Sequence, residues 1–383
     1  MDTIKQDVPI SKRVASDADA FATTQNNEVY STEFLRVKQL CDHLARTMDS
    51  KMKWMWGEAL LGYAMTLLDE YTEREDYTPF LTAYCDYYVE HPPRVDYADT
   101  AAPALITYAM QKKTGNPNYK HLTDRVLDYI RYEPRILGDA VNHLGKSPES
   151  KFYPKSIWVD SLMMFSVFPS LYAKETGDEE LLTFAARQPR IYANYMQDTE
   201  EHLWYHSYWV KARRPYPGGK VFWGRGNGWV MAALPLILDN IGNQHPEAPR
   251  IIELLRQTAD ALLPHQQQDG TFNTVIGKRS YSENSATALI AAGLLHGVRC
   301  GYLKGKTYLA SGERAFLAVA NSIVESENGK VYLPKISAPT IPLQVFPCTC
   351  YRLTPKGDNW SYGVAAAVFA ALEYERLRNG QRS

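Results

Sequence analysis

One aspartate stands beside apolar residues among which its charge would be costly to bury. In KSIWVDSLMMFSVFPSLYAKETGD, the apolar residues recur at helical spacing, and Asp160 falls on the side expected to face inward. If the helix begins near Ser156, Asp160 lies in or just past its first turn. Burial against Trp158 and the following methionines would raise the pKa of this carboxyl, as a general acid needs at neutral pH. The plain alternative is a carboxylate interacting with the helix dipole.

A second carboxylate could come from RVDYADTAAPAL, which contains Asp96 and Asp99. Asp99 also suits the N-cap of the helix predicted to follow, so one of the two is expected to be structural. Two carboxylates across a pocket are the usual equipment for breaking a glycosidic bond. Because the chain has 43 acidic residues, the pair alone does not establish a glycosidase.

The most specific motif is VFWGRGNGWV, in which three glycines alternate with larger side chains just before an apolar helix. Glycine permits close backbone approach, arginine can clamp a carboxylate through two parallel hydrogen bonds, and indole faces can stack on a sugar. A dinucleotide fingerprint would need a strand before it in a βαβ unit, and none is predicted. The alternative is a glycine-rich helix start without a ligand. The candidate binding residues here are Trp223, Arg225, Asn227 and Trp229.

His206 lies between aromatic residues in LWYHSYW and is either a site residue or a histidine that makes one structural hydrogen bond. There is no HExxH motif or other close His/Asp cluster, so a catalytic metal has little support. There is also no GxSxG motif for a serine nucleophile.

The elements that must position these residues follow one plan along the chain. Segments rich in Ala, Leu, Met and Tyr alternate with more charged amphipathic ones, which predicts six helical hairpins closed into an all-α (α/α)6 barrel. We expect one catalytic domain over residues 31–383 after a loose arm at 1–30. The starts of the inner helices would meet at one end and line a pocket. Its residues would be Trp56, Glu58, Asp96 or Asp99, Trp158, Asp160, Arg225 to Trp229, and Glu283 to Ser285.

Composition narrows the possible partners. The formal net charge is −1 and no basic run is present, which makes nucleic acid a poor candidate partner. No segment approaches the length of a membrane span. The five cysteines fit neither a disulfide framework nor a zinc spacing, which favours free thiols in a reducing, cytoplasmic compartment. A trimmed export signal would leave a periplasmic location open. The 26 tyrosines and 8 tryptophans suit either a tyrosine-rich core or sugar rings.

Four motifs together, KSIWVDSLMM, LWYHSYW, FWGRGNGWV and SENSATALIAAGLLHGVRCGYL, resemble the unsaturated rhamnogalacturonyl hydrolases of glycoside hydrolase family 105, relatives of the unsaturated glucuronyl hydrolases of family 88. The resemblance runs from about Trp54 to Tyr374 and implies an (α/α)6 barrel. The implied substrate is a lyase-generated oligosaccharide that carries a 4,5-unsaturated uronic acid at its non-reducing end.

The resemblance also implies a mechanism, in which the double bond is hydrated and the anomeric carbon is not attacked directly. Asp160 would protonate C4 and then activate water for attack at C5, with no metal or organic cofactor. Arg225 and Trp229 match substrate-binding positions, and His206 would lie nearby. The family tends to have a D-H-x-N-P-G-like run at its second aspartate, where this chain has DYADTAAPA, so Asp96 and Asp99 both stay open.

Rhamnogalacturonan, ulvan and arabinogalactan all remain possible sources of the substrate, and the protein is expected to be a monomer or a homodimer. Two other functions stay open on the residues alone. One is a conventional inverting glycosidase or a sugar epimerase on the same barrel. The other is a catalytically silent carbohydrate-binding barrel.

Overall fold

Helices dominate the computed structural model, which describes residues 29–343 and 345–380. Residues 1–28 of the predicted arm therefore lie outside the described part, and the first helix described in full begins at Thr32. The helices are α1 (Thr32–Thr47), α2 (Trp56–Thr72), α3 (Thr78–Glu90), α4 (Ala104–Thr114), α5 (Pro117–Tyr132), α6 (Val167–Thr176), α7 (Glu179–Met196), α8 (Gly224–Ile241), α9 (Ala248–Leu262), α10 (Asn284–Arg299), α11 (Lys306–Asn321), α12 (Pro347–Leu353) and α13 (Ser361–Arg378).

Six of these helices form a closed inner ring. Each helix of this ring contacts the next one in the order α2, α4, α6, α8, α10 and α13, and α13 contacts α2. The other long helices, α1, α3, α5, α7, α9 and α11, pack against the outside of this ring. The result is the predicted (α/α)6 barrel, with its core between the two layers.

Residue size explains which helices are inside. Nearly every residue of α8 and α10 is buried, whereas α9 buries one stripe that includes Ile251, Leu254 and Leu255. Small residues let the inner helices approach one another closely. A Cβ atom on Gly293 of α10 would lie 2.2 Å from the backbone oxygen of Met231 in α8, so no larger residue fits there.

The strands are short and lie in the connections between helices. They are β1 (Arg135–Leu137), β2 (Ala140–Val141), β3 (Ser156–Trp158), β4 (Ser207–Trp209), β5 (Arg214–Tyr216), β6 (Val324–Glu325), β7 (Val331–Tyr332), β8 (Ile336–Ser337) and β9 (Lys356–Gly357). Strands β3, β4 and β5 make an antiparallel sheet in the order β3-β4-β5, and Trp158 pairs with Ser207.

The prediction of a helix from Ser156 was wrong. Residues 156–158 pair with β4, and Asp160 occupies the turn that follows. A π-helical turn, Leu162–Ser166, then leads into α6. The backbone oxygen of Asp160 accepts hydrogen bonds from Met163 N and Met164 N at 2.9 and 3.0 Å. Since π-turns occur often at functional sites, this irregular start fits a residue with a special position.

Within residues 29–343 and 345–380, no helix is both long and apolar enough to cross a membrane. All five cysteines fall inside these ranges, and no disulfide bond joins any of them.

Candidate active site

Asp160 and His206 form the first of two aspartate–histidine pairs at the end of the barrel where the inner helices begin. Oδ2 of Asp160 lies 3.3 Å from Nε2 of His206. Both atoms are buried, and neither makes a hydrogen bond to any other described residue. The imidazole is held from its other side, where Nδ1 lies 2.8 Å from the hydroxyl of Tyr351. Strand pairing sets this geometry, because Val159 N donates to the backbone oxygen of His206.

Asp99 and His143 form the second pair. Oδ1 of Asp99 lies 3.4 Å from Nε2 of His143, and Nδ1 of His143 lies 2.8 Å from Oγ of Ser161. Asp99 is carried on a short 3-10 turn, Ala98–Thr100, just before α4. The amide of Ala98 donates to the backbone oxygen of His143, which ties this turn to the loop that holds the histidine.

Trp158 separates the two imidazoles. Its ring lies parallel to His143 at 4.5 Å and edge-on to His206 at 5.3 Å. Trp223 stacks on the other side of His206 at 4.0 Å. The guanidinium of Arg225 lies over the rings of Trp223 and Tyr362, and the Tyr362 ring in turn packs against Trp56. The carboxylates therefore lie next to a wall of rings.

The surroundings move the pKa values of the two aspartates in opposite directions. Burial alone would raise the pKa of Asp160, but its contact with the imidazole of His206, together with the proximity of His143, holds that pKa below its usual range. The predicted upward shift for Asp160 was therefore wrong. Burial and the nearby charges of Asp160 and Glu149 raise the pKa of Asp99 well above its usual range. Such a separation divides two carboxyls between acid and base forms.

Both histidines are disposed to be neutral. Burial lowers the pKa of His143 to about 4, against a partly opposing effect of the Asp160 charge. Burial also lowers the pKa of His206, although its contact with Asp160 opposes the shift. The two carboxyls of the site therefore differ in acidity, with Asp160 the stronger acid and Asp99 the weaker, beside two imidazoles that burial disposes to be neutral.

The structure separates the two candidates for the second carboxylate. Asp96 makes an ion pair with Arg94 at 2.6 Å, and the Arg94 side chain is 82% exposed. Asp99 lies instead beside His143 and close enough to Asp160 to be affected by its charge. Asp99 is therefore the carboxylate that joins the candidate site, whereas the carboxylate of Asp96 is paired with an exposed arginine.

The guanidinium of Arg225 already has partners. Nη1 donates to the backbone oxygen of Ser337 at 2.7 Å, and Nη2 donates to Ala338 O and Thr340 Oγ1, both at 2.9 Å. The side chain is buried, and its rigid fork holds residues 337–340 against the start of α8. This arrangement differs from the predicted carboxylate clamp, for which both outer nitrogens would have to face the ligand.

Asn227 and Glu283 have structural partners as well. Asn227 accepts a hydrogen bond from Trp204 N and donates to the backbone oxygens of Trp204 and Trp223. Glu283 caps α10 and also accepts from Ser337 N at 3.0 Å. Their polar groups hold backbone together, so the structure does not present them to a ligand as predicted.

Of the predicted aromatic binding residues, Trp56 is the one that is partly exposed. Trp158 and Trp223 are nearly buried and pack on the histidines, and Trp229 is completely buried beneath Trp56. The glycine-rich motif belongs to the first turns of α8 and does not precede the helix. A Cβ on Gly226 would lie 2.8 Å from the Trp223 ring, so this glycine lets the indole pack on the helix.

Two residues of the site were missed by the sequence analysis, His143 and Tyr351. His143 lies in an irregular connection and Tyr351 on the short helix α12, and Tyr351 meets His206 across 145 residues of sequence. Hydrophobic periodicity gives no signal for such residues, and their motifs match no recognised spacing.

The opposite end of the barrel holds a cavity of about 530 Å³ lined by residues such as Tyr63, Tyr108 and Glu175. Asp239, His296 and Cys300 lie at this end and are the one group among the described residues whose ligand atoms are close enough to hold a metal. Arg299 approaches Asp239 to 3.9 Å. Burial would lower the pKa of His296, but nearby carboxylates raise it to about 10, so this group is an ion-pair network.

Comparisons with curated proteins agree on one kind of relative. The chain is 25% identical over 341 residues to the unsaturated rhamnogalacturonyl hydrolase YesR of Bacillus subtilis, covering 88% of this chain and 94% of the relative. It is 27% identical over 286 residues to an unsaturated 3S-rhamnoglycuronyl hydrolase of Alteromonas sp. (strain LOR), covering 72% of this chain and 66% of that protein.

Solved structures support the same architecture. A possible member of family GH105 from Salmonella enterica serovar Paratyphi A superposes with a TM-score of 0.79 at 21% identity, covering 90% of this chain and 93% of that one. The family model described as Glycosyl Hydrolase Family 88 matches residues 32–378, from the first residue of α1 to the last residue of α13. The chain belongs to glycosyl hydrolase family 88.

Proposed function

We propose that this protein is a glycoside hydrolase that removes a 4,5-unsaturated uronic acid from the non-reducing end of lyase-generated oligosaccharides. The observation that carries the proposal is the Asp160–His206 pair, in which the buried Oδ2 of Asp160 lies 3.3 Å from Nε2 of His206 and has no hydrogen-bond partner among the described residues. Family membership and the names of the relatives support the substrate class.

The first step is protonation of carbon. The carboxyl of Asp160 transfers its proton to C4, and the π electrons of the C4–C5 double bond form the new C–H bond. Positive charge develops at C5 and is shared with the ring oxygen. His206, 3.3 Å from Oδ2, stabilises the carboxylate that this step leaves behind.

The second step is addition of water. The Asp160 carboxylate takes a proton from a water molecule while the water oxygen bonds to C5, which gives a hemiketal. The hemiketal opens to a ketone by breaking the bond between C5 and the ring oxygen. The hemiacetal that results at C1 then expels the next sugar, so the glycosidic bond breaks without direct attack on C1.

Asp160 must carry a proton when this sequence starts, although the free site favours its ionised form. The uronate supplies the change, because its carboxylate places a second negative charge near Asp160. A like charge nearby raises the pKa of a carboxyl. Substrate binding therefore moves Asp160 toward the acid form that the first step uses.

The raised pKa of Asp99 favours a second assignment within the same reaction. Asp99 holds its proton more tightly than Asp160, so in this assignment Asp99 protonates C4 and the Asp160 carboxylate activates water. Asn substitutions at each position distinguish the assignments. If Asp99 is only a neutral hydrogen-bond donor, Asp99→Asn retains part of the activity, since an amide also donates hydrogen bonds.

The test of the function is the ultraviolet absorbance of the conjugated double bond, followed with lyase-generated fragments of rhamnogalacturonan, ulvan and arabinogalactan. Loss of absorbance is expected for at least one fragment class, with and without a chelator. New reducing ends from saturated substrates at constant absorbance would instead identify a conventional glycosidase. Binding without turnover would identify a catalytically silent barrel.

A further inference from the structure

Tyr351 enters the site from a segment that the sequence analysis did not connect with chemistry. It lies on the short helix α12, between β8 and β9, and is the buried residue of that helix. Its neighbours Phe346 and Leu353 are 74% and 76% exposed. The side chain of Tyr351 is thus directed inward from a helix whose other residues are largely at the surface.

Several contacts fix the position of the Tyr351 ring. It lies parallel to Trp223, with 6.1 Å between the ring centres and 8° between the planes. Trp223 in turn stacks on His206. The preceding segment is tied down where Arg225 binds the backbone oxygens of Ser337 and Ala338. The hydroxyl of Tyr351 therefore reaches Nδ1 of His206 from a held position.

A hydrogen bond to one imidazole nitrogen sets the state of the other. A neutral imidazole has one N–H, and the nitrogen without hydrogen is an acceptor. If Tyr351 donates to Nδ1, the proton must be on Nε2, which faces the Asp160 carboxylate. The opposite tautomer would direct an Nε2 lone pair at an ionised carboxylate, and two acceptors would then be in contact.

We propose that Tyr351 is a positioning residue, whose hydroxyl donates to Nδ1 of His206 and so keeps an Nε2–H group directed at Asp160. This proposal rests on the proposed function insofar as Asp160 is the acid and base of the reaction. Its role is indirect, since it acts on Asp160 through the imidazole.

The other charged groups around His206 do not set its tautomer. Arg225 lies on the far side of Trp223, and its charge lowers the pKa of His206. His143 lies across Trp158, and Asp99 lies beyond it. Among the described residues, the hydrogen-bond partner of Nδ1 is Tyr351, and all of these charged groups remain when only its hydroxyl is removed.

The direct test is Tyr351→Phe, which keeps the ring stacked on Trp223 but removes the hydroxyl. We expect kcat to fall on the order of 10-fold, the lower end of the loss seen when the hydrogen-bond partner of a metal-bound histidine is removed. KM should change little. The alkaline limb of the kcat–pH profile should move to higher pH, because an Asp160 carboxylate that loses its Nε2–H partner binds its proton more tightly.

The matched control is Tyr119→Phe, which removes a hydroxyl bonded to Asp86 on the outside of the barrel. This variant should keep the wild-type kcat and pH profile. Melting temperatures of both variants separate loss of folding from loss of rate. An unchanged kcat and an unchanged alkaline limb in folded Tyr351→Phe would overturn the proposal.

A measurement without substrate separates this proposal from the proposed function. In protein labelled with ¹⁵N in its nine histidines, the His206 signals are assigned by their loss in His206→Gln. The wild type should show the Nε2–H tautomer, and Tyr351→Phe should show a shift toward Nδ1–H. An Nδ1–H wild type, or the same tautomer in both proteins, would overturn the proposal. The expected shift in a protein without hydrolase activity would overturn the proposed function and leave the Tyr351–His206 relationship supported.

Discussion

Nε2 of His206 and Oδ2 of Asp160 lie 3.3 Å apart at the point where strand β4 passes the turn after β3. Both side chains are enclosed, so the state of one group determines the charge that the other can carry. The same turn begins the π-helical start of the third inner helix. Asp160 therefore lies at the irregular start of an inner helix and is also the candidate acid of the reaction.

Asp99→Asn should make the protein more stable near neutral pH than the wild type. A carboxyl whose pKa is raised by folding holds its proton more tightly in the folded state, so stability falls as pH rises from the unfolded pKa toward the folded one. Asparagine does not ionise, so the variant does not lose stability in this way as the pH rises. Melting temperatures from pH 4 to pH 8 should fall less steeply for the variant. Parallel curves for the two proteins would show that Asp99 has no raised pKa.

Arg225→Lys should lower the stability of the protein, whatever effect it has on substrate binding. Lysine cannot reproduce the fork that holds Ser337 and Ala338, and each lost hydrogen bond from a charged donor costs about 1.5–3 kcal/mol. Thermal and chemical unfolding measure the loss, with Arg256→Lys on the exposed face of α9 as the control. A raised KM at unchanged stability would instead restore the carboxylate-clamp role.

Asn227→Ala should destabilise the protein by about 1–3 kcal/mol, since it leaves buried backbone groups of Trp204 without partners. Chemical denaturation gives this difference directly. The kinetics should change less than the stability, because the amide is directed at backbone. A large rise in KM with wild-type stability would show that Asn227 contacts the sugar.

Much of the barrel could be predicted from the sequence because the inner helices are rich in small and apolar residues, most completely in α8 and α10. The contact between Gly293 of α10 and Met231 of α8 shows the reason, because a larger side chain at residue 293 would collide with the backbone of the neighbouring helix. The sequence analysis placed Asp160, His206 and Trp223 in one region, where the structure also has them. The start of the Asp160 segment was mispredicted, because pairing with β4 overrode a helical pattern.

The remaining features depend on contacts between distant parts of the chain. Burial and the charge of Asp160 raise the pKa of Asp99, whereas the two histidines hold the pKa of Asp160 below its usual range. Arg225 and Asn227 lie in a motif typical of ligand binding, yet both hold backbone segments. No local pattern indicates that a connecting loop brings Tyr351 to His206, 145 residues away in sequence.

The central claim is that Asp160 is the acid and base of the reaction, and Asp160→Asn tests it most directly. The variant is compared with Asp96→Asn, which changes a carboxylate paired with the exposed Arg94. The initial rate of loss of the double-bond absorbance is measured for both, at equal melting temperature. We predict that Asp160→Asn loses at least about 10²-fold in kcat, the lower end for general acid–base catalysis, and that Asp96→Asn stays near wild type. Near-wild-type turnover by folded Asp160→Asn would contradict the account.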